Sequence, residues 1–588
     1  MAAHDPNHTD AAMRGQADRA GRRGHPLAAG VLGLLGVALL AVVVSLALPD
    51  RGGISRAVAR ARHHALAQTP RAAGAPVGSE RGAHLAGRSA LGARARTQAV
   101  NDARLGKLAQ IKVALAPGSP AIKLPRSYLG LSIEYWGLPR YESHPRTFAR
   151  VLAMLRVKGS GPMILRIGGD SADRTYWDPR ARRLSGRFFA LTPGWLSETA
   201  RLVRRRHLRV ILDLNVVADS PPMAARWARA ALNALPRGSV LGFEIGNEPD
   251  LYHQEFPYRL AGGERPGAAA GVQADARTMF GEPSLTPSFS ISTYLEDFRS
   301  YARALGAVRP HMTLLGPAVA NPQLDFSWLS RLIAADHRGL GMVTAHRYPL
   351  SECEPQGSPR YPTIARLLSE RSSTGMADGV KSAVRTAHRA GLSFRLTELN
   401  SVTCGGRPSV SDSFATALWA PDALFELMRV GVDGINVHIR DDAINAPFTL
   451  TRGGLDARPL IYGLALFARA LGPDARLVAL HVHAARRLHV KLWAVRVGAH
   501  LLKVVAINKG ALTAGVRLAL AARGTATVER LMAPSVRATS GVTLDGQWLD
   551  QHGRWQGRRV LARIAPSRGA YELALPGASA ALVSLHLR

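Results

Sequence analysis

Two glutamates close apolar runs of similar character. VLGFEIGN (Val240–Asn247) leads into Glu248, and FRLTELN (Phe394–Asn400) carries Glu398 near its end. Cleavage of a glycosidic bond needs such a pair. One carboxyl delivers a proton to the leaving oxygen, and the other stabilises or attacks an oxocarbenium-like centre. Unlike surroundings keep one acid neutral and the other ionised at the working pH. Asn247, beside the first glutamate, is placed to hydrogen-bond a sugar 2-hydroxyl, a contact that strengthens toward the transition state. Other apolar runs also end in polar groups: Glu134, Asp170 after Gly168-Gly169, the pair His346 and Tyr348, and His438. Taken singly, such residues also cap helices or pair with arginine.

The elements that must position these residues alternate between short apolar runs and amphipathic stretches. The runs are YLGLSIEY (Tyr128–Tyr135), MILRIGG (Met163–Gly169), LRVILDLN (Leu208–Asn215) and VLGFEIGN, then MTLLGPA (Met312–Ala318), GMVTAHRY (Gly341–Tyr348), FRLTELN and DGINVHI (Asp433–Ile439). Helical patterns such as PPMAARWARAALNAL from Pro221 and STYLEDFRSYARALGAV from Ser292 separate them. Apolar strands divided by helices imply a parallel sheet covered on both faces. Eight such units fit an α/β fold, a (β/α)8 TIM barrel, whose site forms at the C-terminal ends of the strands. Glu248 and Glu398 then end strands four and seven and face each other across the mouth. An insertion at about 251–290 should lie over it. After Leu471 the pattern changes to period two, in HVKLWAVRV, HLLKVVAINKG, AGVRLAL, YELALPG and SAALVSLHLR. That alternation predicts an antiparallel β-sandwich, which the strand-like LAQIKVALA before the barrel could join.

Five segments follow: a basic tail (1–26), an apolar segment (27–48), a basic linker (49–107), the barrel (108–471) and the sandwich (472–588). Leu27 to Leu48 is about 22 uncharged residues, roughly 33 Å as helix, enough to cross a bilayer core. Signal-peptide apolar regions run about 7–15 residues, which favours a single transmembrane signal anchor over a cleaved leader. Arginines flank both sides of the segment, so charge does not fix its orientation. The linker is rich in Ala, Arg and Gly and reads as a tether.

The formal charge of +34 draws the chain toward anionic material such as lipid head groups, wall polymers or uronate-bearing glycans. No nucleic-acid motif accompanies that charge, so no nucleic-acid partner is expected. Cys353 and Cys404 are the only cysteines, in loops at the same end of the barrel. A disulfide and two buried thiols are both open readings. Neither cysteine has a second ligand at metal spacing, so no metal site is expected, and no cofactor.

Together LGLSIEYWG, ILRIGGDSADRTYW, GNEPD and LTELNSVTCGG resemble glycoside hydrolase family 79, the β-glucuronidase and heparanase family, from about Leu129 to the C-terminus. The resemblance implies Glu248 as acid/base and Glu398 as nucleophile, with Glu134, Asp170 and Asn247 on sugar hydroxyls. It places Gly405 and Gly406 near the C5 substituent, where a glycine-rich turn can hold an anion, and His438 at a uronate-recognition position. His346 and Tyr348 complete the expected binding residues. The chain departs from the family after strand eight. DDAINAPF (Asp441–Phe448) has no Tyr there and brings Asp441 and Asp442, which are unfavourable beside a carboxylate unless paired, for example with Arg440.

The leading expectation is a retaining exo-β-glucuronidase acting on extracellular glycans or glycosides. It would be anchored in the cell membrane, or secreted if the N-terminal segment is cleaved. A neutral-sugar β-glycosidase on the same barrel and a carbohydrate-binding wall protein with a degraded site are the alternatives. The oligomeric state has no signature in the sequence.

Overall fold

The apolar runs become strands because β-branched and leucine side chains fill both the barrel interior and the layer beneath its helices. A computed structural model describes residues 108–587 other than 117, 181–188, 253–288, 336–338 and 486–487. Eight parallel strands close on themselves: β1 (Leu129–Glu134), β2 (Ile164–Gly168), β3 (Arg209–Leu214), β4 (Val240–Ile245), β5 (Leu314–Val319), β6 (Leu340–Arg347), β7 (Ser393–Leu399) and β8 (Gly434–Ile439). Each of the eight expected runs supplies one strand. The two helical stretches read from the sequence are helices at Pro221–Ala234 and Ile291–Gly306. The first begins on Pro221, which suits a first helical turn because its missing N–H would have no partner there. Most of the 251–290 insertion lies outside the described residues.

The interior is layered. Ile164, Ile211 and Leu315 pack together inside the barrel. Two residues further along their strands, Arg166 and Asp213 reach the same interior, where they meet Glu244 of β4. The next inward position of β2 must be glycine, because a Cβ on Gly168 would collide with Asp213. Below that charged level, the apolar trio shares the interior with buried Arg395 of β7, whose Nε donates to Asn436 Oδ1 of β8 at 2.6 Å.

β7 slips register against both neighbours: Leu396 and Glu398 pair with the consecutive Ala345 and His346 of β6, and Leu396 and Leu399 pair with Ile435 and Val437 of β8. Consecutive residues of a regular strand point to opposite faces. Here both Thr397 and Glu398 reach inside, the first bonding Glu244 and the second Arg166. Bulges of this kind re-aim side chains beside active sites.

The C-terminal part is two sheets. One is four-stranded, in the order Leu480–Ala484, Ala109–Leu115, Ala514–Leu518, Tyr571–Leu575. The other is larger and contains Val490–Val497, Leu501–Asn508, Ala522–Met532 and Ser579–Leu587. The strand before the barrel does join this sandwich, so the barrel begins after it rather than at residue 108. One pairing is not antiparallel: Ala109–Leu115 runs parallel to Ala514–Leu518. A strand that arrives from before the barrel is free of the hairpin geometry that forces antiparallel neighbours. No helix among the described residues is long and apolar enough to cross a membrane. The Leu27–Leu48 segment, with the rest of 1–107, lies outside them.

The helix Phe414–Arg429 is buried along nearly its whole length because it lies between barrel and sandwich. Phe425 stacks on Trp493 of the sandwich, and Trp493 Nε1 donates to Asp422 Oδ1 at 2.9 Å. Lys509 Nζ donates to Asp422 Oδ2 at 2.5 Å, and both side chains are 0% exposed. Removing one partner of such a pair strands a buried charge, which costs about 3–5 kcal/mol, whereas replacing both need not. Asp422→Ala should therefore lower the unfolding free energy by about that amount in urea titration, and adding Lys509→Met should restore most of it. A loss below about 1 kcal/mol in the single variant would show that the pair does not join the two parts.

Candidate active site

Glu248 follows β4 with a positive φ of 49°, a region sparsely occupied by residues other than glycine, asparagine and aspartate. Its N–H is held by the carbonyl of Ala318 on β5 at 3.1 Å. The segment after it is fastened by Asp173, from the 3-10 turn that follows β2. Asp173 accepts the Tyr252 hydroxyl at 2.7 Å and the backbone N–H of Val216 at 2.9 Å. The motifs GGDSAD and GNEPDLY thus hold each other in place.

Arg166 sits behind the pair of glutamates and is 0% exposed. Its Nε donates to Glu244 at 2.8 Å and its Nη2 to Asp213 at 2.8 Å and to Asn247 Oδ1 at 2.9 Å. Its Nη1 donates to Glu398 at 3.2 Å and Ser132 at 3.3 Å. These contacts use the full donor set of a guanidinium. Burial works against a charged Arg166, but Glu244, Asp213 and Glu398 hold its pKa above the usual arginine value. Burial pushes Asp213 well above the carboxylate range despite the pull of Arg166.

The two glutamates have different neighbours. Glu398 Oε1 accepts the Tyr348 hydroxyl at 2.5 Å and lies 3.3 Å from His438 Nδ1. Burial alone would push Glu398 up, yet His438, Arg166 and the Tyr348 hydroxyl hold it below the usual carboxylate range. Burial likewise opposes a charged His438, but Glu398 and Glu134 raise it to about 9. The imidazolium spans the two carboxylates, with Nε2 3.2 Å from Glu134. Glu248 instead shares a proton with His346, Nδ1 to Oε1 at 2.8 Å. Burial drives His346 down to about 4, so this partner is neutral. One carboxylate is thus embedded among cations and the other faces an uncharged base. One oxygen from each glutamate and a His346 ring nitrogen lie within 4.8 Å of one another. That trio is the group among the described residues whose spacing could hold a metal ion.

Both glutamates open into a cavity of about 470 Å³ that is also lined by Asp170, Tyr348, Gly405, His438 and Arg440. Four expected site residues lie behind this lining. Glu134 is buried, accepting Ser171 N–H at 2.8 Å and bracing His438. Asn247 has its carbonyl oxygen turned to Arg166, which leaves the amide nitrogen as its donor. His346 backs Glu248. Gly406 donates its N–H to Thr403, and a Cβ there would lie 2.8 Å from Asn445. Gly405 lines the cavity with open space around its Cα. Both acids of the loop after β8 are paired, Asp441 with Arg140 at 3.2 Å and Asp442 with Arg440 at 2.8 Å. Arg440 also reaches Asp170 at 2.5 Å. The cysteines are joined as a disulfide. It ties the loop after β6 to the loop after β7, where Leu350–Ser351 pairs with Val402–Thr403.

Arg166, Asp213 and Glu244 were not among the residues expected at the site. A signal for them exists in the sequence, since each is a charge inside an otherwise apolar run. Arg347 and Arg360, which also line the cavity, carry no comparable signal.

Residues 493–582 match the model of the glycosyl hydrolase family 79 C-terminal beta domain. The chain is 22% identical over 532 residues to a β-glucuronidase of Aspergillus niger, an alignment covering 80% of this chain and 93% of that protein. The fold is similar to that of a 4-O-α-L-rhamnosyl-β-D-glucuronidase from Fusarium oxysporum 12S, with a TM-score of 0.64 and 16% identity. That alignment covers 81% of this chain and 100% of the other. It is also similar to a GH51 arabinofuranosidase from Xanthomonas axonopodis pv. citri, at a TM-score of 0.59 and 14% identity over 81% of this chain and 100% of that one. The chain is a glycoside hydrolase. Its resemblance is to family 79, whose C-terminal domain it carries.

The imidazolium of His438 stabilises the ionised form of Glu398, so its removal raises the nucleophile's pKa. Activity that requires ionised Glu398 is then lost at a higher pH as the solution is acidified. His438→Gln should move the acidic limb of the kcat/KM profile about one pH unit or more toward neutrality. An unmoved limb would mean that His438 does not tune the nucleophile.

Proposed function

We propose that the protein is a retaining exo-β-glucuronidase. The observation that carries the retaining mechanism is the approach of Glu248 and Glu398 oxygens to within 4.8 Å. Retaining pairs stand about 5–5.5 Å apart, whereas inverting pairs leave about 6.5–9.5 Å for a water molecule. Glu398, held ionised, attacks the anomeric carbon while Glu248 gives its proton to the leaving oxygen. Glu248 then takes a proton from the water that releases the sugar from Glu398. Neutral His346 is suited to the acid/base because its Nδ1 can donate or accept the hydrogen bond to Glu248, according to tautomer, without adding a charge.

Three features support a uronate in the cavity. The A. niger relative is a β-glucuronidase. Gly405 borders the cavity with no side chain in the way. Asp441 and Asp442, which would repel a carboxylate, are each neutralised by an arginine. His438 has a different part in this reading from uronate recognition, because its ring nitrogens already face Glu134, Tyr348 and Glu398. The Arg440–Asp170 bridge on the glycone side supports release of a terminal sugar.

For location, we propose a membrane-anchored enzyme with the barrel outside the cell. The uncharged run Leu27–Leu48 and the disulfide, a bond that persists in oxidising compartments, support it. A chain lacking residues 1–107 should stay active and leave salt-washed membranes, and its retention there would sink the anchor.

Aryl β-glucuronide, glucoside, xyloside and galactoside compared under one condition test the substrate. Loss of two charge-assisted hydrogen bonds at about 1.5–3 kcal/mol each predicts a glucuronide preference of about 10² to 10⁴ in kcat/KM. A neutral glycoside turned over equally well would refute the uronate assignment. In the same series a 2-fluoro glycoside of the preferred sugar should label Glu398, and labelling of Glu248 would reverse the two roles.

A further inference from the structure

The cavity has a second set of charges that the reaction just described does not use. β4, β5 and β6 are neighbours in the barrel, and Glu248, Asn321 and Arg347 stand at or just beyond their C-terminal ends. Asp170, His438 and Arg440 belong to the opposite side, after β2 and at the end of β8. Because Glu248 protonates the leaving oxygen, the wall formed after β4, β5 and β6 faces the leaving group.

Arg347 lines that wall and is only 8% exposed. Its Nη1 donates to Asn321 Oδ1 at 2.9 Å and its Nη2 to Gln323 Oε1 at 3.0 Å. Both acceptors are neutral amides, and Nε has no partner. Among the described residues no carboxylate lies within ion-pair distance of it. A buried guanidinium without a counter-charge is costly, and fixed hydrogen bonds to amides orient it without neutralising it. Arg360 lines the same cavity. Its ion pair among the described residues, to Glu354 at 3.5 Å, is long and about a third exposed, and its Nε is also without a partner. Burial and the nearby Arg360 together lower the Arg347 pKa to about 10. The charged neighbour that acts on Arg347 is thus a second cation.

The wall is not uniformly basic, since Asp250 and Asp325 line it too. Asp250 accepts the Ala320 N–H through both oxygens, and burial with Glu248 and Asp325 nearby pushes it well above the carboxylate range. Leu324, 74% exposed, adds an apolar surface at the same rim. The loop bearing Arg360 is fixed by the Cys353–Cys404 disulfide and by the bond from Ser351 N–H to the Arg360 carbonyl at 2.9 Å.

We infer that Arg347 and Arg360 form a leaving-group subsite for an aglycone that carries an anionic oxyacid group on an apolar body. The anion would supply the counter-charge that Arg347 lacks among the described residues, and Leu324 would cover the apolar part. The inference rests on the acid/base role of Glu248 proposed above, which fixes the side on which the leaving group lies.

The test uses the full chain and the β-glucuronides of 4-hydroxybenzoate, 4-hydroxybenzenesulfonate and 4-hydroxybenzamide. The first two leaving groups are anionic and the third is neutral. The readout is the ratio of kcat/KM for each anionic substrate to that for the amide. Dividing each variant's ratio by that of the unaltered enzyme cancels the intrinsic reactivity of the leaving groups. Arg347→Gln and Arg360→Gln should each lower the ratio by about tenfold to a hundredfold, the effect of losing one charge-assisted contact. Arg347→Lys, which keeps the charge, should recover part of it. Arg360 is on the surface loop, so its variant tests the subsite even if Arg347→Gln fails to fold. Unchanged ratios in the variants that fold would overturn the subsite. If no glucuronide is cleaved but another glycoside is, the uronate reading fails alone. The same three aglycones on that sugar then decide the subsite by the same ratios.

Discussion

The site depends on a single buried guanidinium. Arg166 joins β1, β2, β3, β4 and β7 through Ser132, Asp213, Glu244, Asn247 and Glu398. Three of these partners are carboxyl groups, and without the cation between them they could not share so small an apolar enclosure. Planar, forked donors also fix direction as well as charge. Arg166 thereby sets where Glu398 points and which end of the Asn247 amide faces the cavity. Glycine at 168 is part of the same constraint, since a side chain there would displace Asp213.

Around this centre the barrel separates two electrostatic environments within a few ångströms. On the side of β7 and β8, Arg166, His438 and the Tyr348 hydroxyl converge on Glu398 and keep it anionic. On the side of β4 and β6, Glu248 faces His346, which burial keeps neutral. The same residue type can then act as nucleophile in one place and proton donor in the other. Glu134 contributes indirectly, because its charge maintains the imidazolium that stabilises Glu398.

Rigidity comes from outside the barrel strands. Asp173 fastens the segment after β4, the disulfide fastens the loops after β6 and β7, and the helix Phe414–Arg429 is clamped between barrel and sandwich by Asp422. Side chains that must act within hydrogen-bond distance of one another gain from such bracing, since small displacements cost rate steeply.

Much of this organisation is written along the chain. Eight apolar runs, each bounded by helical patterns, require a closed parallel sheet because their strands have no polar face to expose. Once the runs are counted, Glu248 and Glu398 fall at the ends of strands four and seven and must face each other. The period-two pattern after Leu471 similarly determines a sandwich. Other features are decided only by tertiary structure. The bulge in β7 breaks the alternation that a sequence reading assumes, so Thr397 and Glu398 both turn inward. The protonation of His438 and the neutrality of His346 arise from which groups surround two equally buried imidazoles, and no local pattern distinguishes them. The cysteines could be joined or apart until the two loops were brought side by side. Arg347 reads in the sequence as an ordinary strand-end cation, and only burial beside two neutral amides shows that it has no counter-charge among the described residues. Periodicity records which residues are hidden from water. Pairing between residues tens or hundreds of positions apart depends on the closure of the barrel, which the local pattern does not encode.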